Sequence, residues 1–415
     1  MGSAWLFDVL FRRAPVITWA AAGELPAGFR LVEQFAVLPS WAGRSYMVSL
    51  AARRGAASAL TSYNGLRLVR RRPPRQLLGL GLRTGLAQPL LGAKIDIGVA
   101  VSAADDEVAS ALIGEHLGQL FGRQVVIAFG GGSGPYRKPV LQVFGADGMP
   151  LGYVKIGWNS WTRDAVRREA AALTSCAARP MRLGTPALLR HASWQGLELM
   201  VTSPLPRGVR MSWRLPDAGL LREITDLSPR FAAELAASPW WPGLRARIEA
   251  GVADPAIRTR LVMLADAVES SYGAAALEFG TWHGDLVPWN FARHAGRLYA
   301  WDWEDSAPDV PVGFDALHYF FQVAFVAKRR PLHDSADIAQ RAASEMLTVL
   351  GVPEQAHRLL AILHLLELSV RHEEARSSSA GDGDDRFFPA VLHLLERALG
   401  QPSGAAEPDT MGLAS

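Results

Sequence analysis

The chain has little cysteine and no apolar run long enough to cross a membrane. Cys176 is the one cysteine in 415 residues, so an internal disulfide cannot form and a reducing, cytoplasmic setting is expected. Asp8 and the Arg12-Arg13 pair interrupt the first apolar residues, which argues against a secretory signal. Residues 314–327 are apolar but too few to span a bilayer, and they predict a buried helix instead. We therefore expect a cytoplasmic protein without a transmembrane segment.

The net charge is small, and lysine is rare. The 43 basic and 40 acidic side chains leave a formal charge of only +3, which argues against nucleic acid as a partner. Lysine occurs only at Lys94, Lys138, Lys155 and Lys328. An ammonium is a compact point charge that a guanidinium does not reproduce, so a lysine in an apolar strand indicates a specific role. Lys155 is such a lysine.

Two neighbouring motifs in the second half supply a polar set suited to phosphoryl transfer. The first, H-G-D-L-V-P-W-N, contains Asp285 and Asn290, and the second, W-D-W-E, contains Asp302. Asp285 can accept a hydroxyl proton, whereas Asn290 and Asp302 offer oxygen ligands to Mg²⁺. The residues between the motifs predict two short strands around a turn at 294–296. Such a hairpin would bring Asn290 and Asp302 to the same end.

Three apolar segments in the first half predict consecutive β-strands, at residues 125–129, 139–144 and 151–156. A glycine cluster, residues 130–134, follows the first strand. Glycines let backbone N–H groups approach phosphates because no Cβ atom stands in the way. Lys155 lies in the third strand, from which a lysine can reach the α- and β-phosphates of a nucleotide.

A helix is predicted at residues 162–176, where apolar residues recur at helical spacing. Glu169 shares the inward face of this helix. A carboxylate on a buried face needs a partner, because an unpaired buried charge is costly. Lys155 is the predicted partner.

The order of these motifs resembles the aminoglycoside phosphotransferase and choline kinase superfamily, whose members are small-molecule relatives of protein kinases. The resemblance implies an α+β, bilobal protein-kinase-like fold, with a small antiparallel β lobe, a helical large lobe and, here, an extra N-terminal region. It implies Mg²⁺ and ATP or GTP as cofactors and a small-molecule hydroxyl as the acceptor. D-W-E in place of D-F-G, and the lack of an A-P-E signature, argue against a protein kinase.

The resemblance also assigns roles to residues. Asp285 would be the catalytic residue, and Asn290 and Asp302 would hold the metal. His283, Glu304 and Asp315 would give structural support, although Glu304 also corresponds to a position beside the metal aspartate. The implied nucleotide-binding residues are Gly130, Gly131, Gly132, Ser133, Gly134, Lys155, Glu169, Thr202 and Pro204.

The glycine loop departs from the family pattern, and the assignment of the hinge depends on the resemblance alone. Pro135 and Arg137 replace glycines, so the loop does not read G-x-G-x-x-G, and Lys138 does not complete a P-loop. Thr202 and Pro204 follow a predicted strand at 197–201 and resemble the hinge between kinase lobes. One edge of that strand is expected to remain available to the adenine base.

The predicted domains are an N-terminal region of unknown role, a small nucleotide-binding lobe with the hinge, a helical large lobe with the catalytic hairpin, and a disordered tail. Their boundaries are residues 1–120, 121–205, 206–400 and 401–415. In the N-terminal region, residues 29–39 and 46–52 predict strands, and 104–121 predict a helix. This region could mediate oligomerisation or partner binding.

A basic segment at residues 70–75 precedes apolar residues 77–91. This pattern favours a solvated turn before a packed helix over a helix lying on a membrane surface.

The predicted function is an Mg²⁺-dependent transfer of the γ-phosphoryl group of ATP to a hydroxyl of a small molecule. The alternatives are an aminoglycoside antibiotic kinase specifically, or a non-catalytic nucleotide-binding regulator or scaffold. Acidic residues at 373–374 and 382–385 could attract a polycationic substrate, but a charged exposed loop explains them equally well.

Overall fold

The structure is a computed structural model, and it describes residues 4–11, 15–39, 45–62, 72–87, 91–130, 138–377 and 387–400. The chain divides into two compact units. The first unit comprises Met1–Trp213 and Trp289–Asp305, and the second comprises Arg214–Pro288 and Ser306–Ser415. The predicted tail at 401–415 and most of the glycine loop, residues 131–134, lie outside the described residues.

Within the described ranges the chain forms fifteen β-strands and thirteen α-helices. The strands are β1 (Ile17–Ala21), β2 (Phe29–Pro39), β3 (Ser45–Ser49), β4 (Lys94–Ala100), β5 (Val125–Gly130), β6 (Val140–Gly145), β7 (Pro150–Gly157), β8 (Leu188–Trp194), β9 (Leu197–Thr202), β10 (Arg210–Met211), β11 (Phe231–Glu234), β12 (Ala276–Trp282), β13 (Phe291–His294), β14 (Arg297–Ala300) and β15 (Ala307–Pro311). The helices are α1 (Ala4–Phe11), α2 (Arg53–Thr61), α3 (Arg72–Thr84), α4 (Asp105–Ala111), α5 (Ile113–Phe121), α6 (Ser160–Ala177), α7 (Ala218–Thr225), α8 (Trp240–Gly251), α9 (Pro255–Tyr272), α10 (Phe314–Gln322), α11 (Leu332–Leu350), α12 (Glu354–Ser377) and α13 (Phe387–Ala398).

An antiparallel sheet, nine-stranded in the part of the chain that is described, forms the body of the first unit, in the order β1-β4-β2-β3-β5-β6-β7-β9-β8. Successive side chains of a strand point to opposite faces, and β5 buries both sets. Ile127 and Phe129 join a core with α1 and α5, whereas Val126 and Ala128 join a second core with α2 and α3. The sheet is therefore covered on both faces.

The N-terminal region is part of this sheet. β3 pairs with β5 in a register that sets Met47 opposite Phe129. The sequence-based boundary near residue 120 therefore lies inside one structural unit. The predicted strand at 29–39 is β2, but the predicted helix at 104–121 is interrupted, because Leu112 adopts extended backbone angles between α4 and α5.

The predicted hairpin is present in the first unit as β13 and β14, with Phe291 opposite Ala300. Ala295 and Gly296 both have positive φ angles, of 47° and 79°, which is the signature of a two-residue type I′ turn. β10 pairs with β13, so the hairpin belongs to a three-stranded sheet of its own.

The second unit contains a small antiparallel sheet, in the order β11-β12-β15, and the helices α7 to α13. Asp217 and Asp254 cap α7 and α9 by accepting hydrogen bonds from the first backbone N–H groups. The predicted helix at 314–327 is confirmed as α10, which continues into a π-helical turn at Val323–Ala327. Among the described helices, none is both long and apolar enough to cross a membrane.

Candidate active site

Lys155, on β7, lies among carboxylates of the first unit, of which Glu169 is buried. Its Nζ donates hydrogen bonds to Glu169 Oε2, on α6, and to Asp302 Oδ1. α6 starts at a capping box, in which Asn159 and Thr162 bond each other's backbone N–H groups. Glu169 then falls on the buried face of α6. The predicted pairing of Lys155 with Glu169 is therefore confirmed.

The electrostatic balance at Lys155 favours its charged form. Burial opposes the charge, but Asp302 and Glu169 raise the pKa of Lys155 well above its ordinary value. For Glu169, burial raises the pKa, and the charge of Lys155 acts against that rise. The ammonium therefore remains, and it holds the two carboxylates together.

Asp302 follows β14 at the end of the hairpin. Trp301 N donates to Asn290 O at 3.0 Å, so the hairpin brings Asn290 beside the segment that carries Asp302. Asp302 has a φ of 70°, a left-handed conformation that non-glycine residues adopt rarely. Strained backbone of this kind clusters at functional sites.

A second lysine also reaches this region. Lys138 forms an ion pair with Glu304, and Arg168 donates to the Glu304 carbonyl at 2.9 Å. Burial, with the nearby charge of Asp302, raises the pKa of Glu304 to about 7. We call Lys138, Lys155, Glu169, Asp302 and Glu304 the lysine cluster. The sequence motifs assign no role to Lys138, although the rarity of lysine was a usable signal.

The lysine cluster provides oxygen donors for a divalent cation. One carboxylate oxygen each from Glu169, Asp302 and Glu304 lie within 4.8 Å of one another. Asn290, whose side chain is buried, lies at the same hairpin end. Carboxylate and amide oxygens are the ligands that Mg²⁺ prefers, so the residues present fit such an ion.

In the second unit, Asp285 lies in a loop that hydrogen bonds brace. Asp315, on α10, accepts hydrogen bonds from His283 N at 2.8 Å and from Gly284 N at 3.1 Å. Asp285 N donates to His283 Nδ1 at 3.3 Å. His283 and Asp315 thus brace the backbone on either side of Gly284, which has a φ of 84°.

Two histidines extend from Asp285 into the helical core. His318 Nε2 lies 3.1 Å from Asp285 Oδ1, and His364 Nε2 lies 3.4 Å from His318 Nδ1. Burial alone would raise the pKa of Asp285, but the hydrogen bond with His318, helped by the charge of Arg371, lowers it. We call His283, Asp285, Asp315, His318 and His364 the aspartate cluster. The sequence motif does not include His318, although its spacing of i+3 from Asp315 places both on one helix face.

The sequence matches no protein-family model and no curated protein. Among solved structures, the chain is similar to a thermostable mutant of an aminoglycoside phosphotransferase, at 11% identity and a TM-score of 0.45, over 69% of this chain and 99% of that one. It is similar to a choline kinase from Streptococcus pneumoniae, at 15% identity and 0.40, over 65% and 91%. It is also similar to an amicoumacin kinase in complex with AMP-PNP and Ca²⁺, at 12% identity and 0.43, over 66% and 87%. Identities and scores this low carry no conclusion about substrate or reaction.

The order of the chain's own elements decides the fold class. The strands β5, β6 and β7 lead to α6, whose Glu169 pairs with Lys155 of β7. A mainly helical unit follows and carries the aspartate loop and its bracing aspartate. The fold is protein-kinase-like. The protein-kinase-like fold that the sequence resemblance implied is thus confirmed.

In this kinase-like fold, the predicted hinge needs one correction. Thr202 ends β9 and is buried, with Tyr153 of β7 opposite it on one side and Leu188 of β8 on the other. The strand therefore has no edge available for a base, because β8 covers it. The segment after β9, which contains Pro204, is tied at its start by a hydrogen bond from Ser203 N to Ala187 O at 2.8 Å.

The described part of the glycine loop is Gly130, the exposed last residue of β5. Gly131, Gly132, Ser133 and Gly134 lie outside the described residues, so their phosphate-binding role stays a prediction.

The acidic residues at 373–374 are engaged within the second unit. Glu373 is buried and pairs with Arg376 at 2.8 Å, and Glu374 pairs with Arg247 at 2.8 Å. These carboxylates neutralise the protein's own arginines, which argues against their use in attracting a polycation. Residues 382–385 lie outside the described residues.

Proposed function

We propose that the protein is a small-molecule kinase, which transfers the γ-phosphoryl group of ATP or GTP to a hydroxyl group. The observation that carries this proposal is the contact of Lys155 with both Glu169 and Asp302. This contact places an ammonium group on a strand beside two carboxylates, Glu169 and Asp302. It is what positioning of nucleotide phosphates requires.

The lysine cluster would bind the nucleotide. Lys155 would contact the α- and β-phosphates, with Glu169 fixing its position, and residues 130–134 would cover the phosphates. Asn290 and Asp302 would hold Mg²⁺, which when bound neutralises the charge that develops on the phosphoryl oxygens. Glu304 lies close enough to contribute, and Lys138 limits the negative charge that it adds.

Asp285 would orient the acceptor. Its lowered pKa keeps the carboxylate ionised at neutral pH, so it can accept a hydrogen bond from the attacking hydroxyl and then its proton. Phosphoryl transfer depends mostly on alignment and electrostatics, and the bracing of the loop by Asp315 supports such alignment.

The test is nucleotide-dependent ADP release in the presence of Mg²⁺, with aminoglycosides, amino alcohols, sugars and nucleosides as acceptors. Asp285→Asn should lower turnover at least about hundredfold, because the amide cannot take the proton. Its Mg·ATP affinity, measured by calorimetric titration, should stay unchanged.

Glu278→Gln, which changes an exposed carboxylate on β12 of the same unit, is the matched control and should keep full activity. Equal turnover by folded Asp285→Asn and by the unchanged protein would refute the proposal. Nucleotide binding without turnover on any acceptor would favour a non-catalytic regulator.

A further inference from the structure

α3 and the turn that follows it present large apolar side chains to solvent. Leu77, Leu80 and Leu86 are 72%, 60% and 76% exposed. The opposite side of α3 packs against α2, where a Cβ atom on Gly79 would lie only 2.6 Å from Thr61. The exposed leucines are therefore not needed for the packing of α3, although apolar exposure of this kind usually marks an interaction site.

The segment of sequence that contains these leucines carries charge of one sign. Residues 34–95 contain ten arginines and lysines and no aspartate or glutamate, whereas the whole chain is almost neutral. Among the described residues of this stretch, Arg53, Arg54 and Arg83 are exposed. The Arg53 guanidinium lies beside Gly85, at the end of α3. We call Leu77, Leu80, Leu86, Arg53 and Arg83 the leucine face.

The chemistry of the leucine face selects one kind of partner. A second copy of the chain would bring like charges together. A nucleic acid would meet aliphatic side chains rather than the aromatic and amide groups that read bases. An anionic bilayer offers both phosphates for the arginines and an acyl region for the leucines. The sequence pattern alone favours a packed helix here, but the structure leaves these leucines exposed instead of packed. We propose that the leucine face binds the surface of membranes that contain anionic phospholipid.

The test is co-sedimentation of the full chain with vesicles. We expect binding to vesicles of equal parts phosphatidylglycerol and phosphatidylcholine, and none to pure phosphatidylcholine. The combined change Leu77→Ser, Leu80→Ser and Leu86→Ser should weaken binding at least tenfold and leave the melting temperature unchanged. Met263→Ser with Val349→Ser, which alters exposed apolar residues of α9 and α11, is the matched control and should bind normally.

Three outcomes would overturn this proposal. The first is no binding to either vesicle, and the second is equal binding to both. The third is a different partner at the leucine face. Such a partner would be seen as a dimer in light scattering, or as binding to single-stranded nucleic acid, and the leucine changes would abolish it.

A second inference comes from the aspartate cluster and rests on the proposed function. His364, His318 and Asp285 form a line of hydrogen-bond contacts through the buried part of the second unit. His364 packs at the edges of Phe314 and Phe321, so its ring has little freedom to turn. The charged or titratable groups that interact with His318 are Asp285, Asp315 and His364, and His283 and Arg371 interact in turn with these neighbours.

The geometry points to His318 as a positioning residue for Asp285. In one consistent arrangement, His364 Nε2–H donates to His318 Nδ1, and His318 Nε2–H donates to Asp285 Oδ1. This fixes the tautomer of His318 and the orientation of the carboxylate, as a third group orients a base in other active sites. No proton leaves His318 in this scheme.

The test compares His318→Gln with His318→Leu in ADP release. Glutamine retains an N–H donor, so it should keep most of the turnover, whereas leucine should lower kcat at least tenfold with the KM for Mg·ATP unchanged. Equal losses in both variants, or a loss confined to KM, would overturn the inference.

Nitrogen-15 NMR of the unchanged protein gives a readout that does not need turnover. His318 should show a protonated Nε2 and an unprotonated Nδ1, and Asp285→Ala should shift the Nε2 signal. Failure of the proposed function would leave these signals as expected, whereas a protonated Nδ1 would overturn the positioning role itself.

Discussion

Lys155 illustrates how single residues in this protein depend on their partners. Its side chain is mostly buried, and its charge persists because Glu169 and Asp302 both accept from it. Removing one member of a buried charged set leaves the others uncompensated, and this costs more than the set itself contributes. Loss of any one member of the lysine cluster is therefore expected to destabilise the folded protein.

Lys155→Met should destabilise the protein by about 3 kcal/mol, because Glu169 is left buried without its partner. Adding Glu169→Gln should recover part of that loss. Urea unfolding measures both. Arg123→Met, which removes a surface partner of Asp147, should change stability far less. Equal losses at the two sites would show that Lys155 has no special role in stability.

Glu33 should make stability depend on pH. Its burial, only partly offset by a hydrogen bond from Ser49 at 2.6 Å, raises its pKa from 4.5 to about 7. The folded protein therefore binds this proton more tightly than the unfolded chain. The stability that results is full below pH 4.5 and is lost as the pH rises through about 7.

Glu33→Gln should flatten this dependence and raise the melting temperature above pH 7. Melting curves between pH 5 and pH 8 would show it, with the exposed Glu107→Gln on α4 as the control. A parallel pH dependence in Glu33→Gln and the unchanged protein would contradict the assignment.

At the scale of elements, α2 lies unusually close to the sheet. A Cβ atom on Gly55 would fall 2.5 Å from Val126 Cγ2 of β5 and 3.1 Å from the Gly145 carbonyl of β6. The absence of a side chain at Gly55 lets the helix sit directly on the strands. α2 thus covers the face of β5 that α1 and α5 do not.

Gly55→Ala should destabilise the protein by about 1–3 kcal/mol, because α2 or β5 must shift to accept the added carbon. Gly243→Ala, in α8, meets no atom within 4 Å and should be neutral or stabilising, since alanine favours helices. Thermal unfolding of the two variants compares them directly. A loss at Gly243 equal to that at Gly55 would argue that backbone effects, not crowding, dominate.

At the scale of the whole molecule, ligand binding should raise the free energy of unfolding. Mg·ATP at about a hundred times its Kd should stabilise the protein by about 2.7 kcal/mol, because it binds only the folded state. Chelation of the metal with EDTA should remove most of this gain. Asp302→Ala should also remove it, whereas Asp285→Asn should keep it. If Mg·ATP still stabilises Asp302→Ala by the same amount, this aspartate does not bind the metal.

Local patterns in the sequence predict much of this molecule. Helical periodicity and strand order lead to the contact of Lys155 with Glu169, and the turn at Ala295 and Gly296 leads to the hairpin. Contacts between distant segments leave no such local trace. Lys138 meets Glu304 although residues 214–288, which belong to the second unit, lie between them in sequence. The pairing of β3 with β5 joins the N-terminal region to the sheet.

The first unit is made from two stretches of chain, Met1–Trp213 and Trp289–Asp305. During synthesis, residues 214–288 must therefore leave the ribosome before the first unit can be completed. Until then, the nascent chain holds Lys155 and Glu169 but has no Asp302 for the lysine to bind, and β10 has no β13 to pair with. The lysine cluster can thus form in full only late in translation, after the chain has made the Asp285 loop.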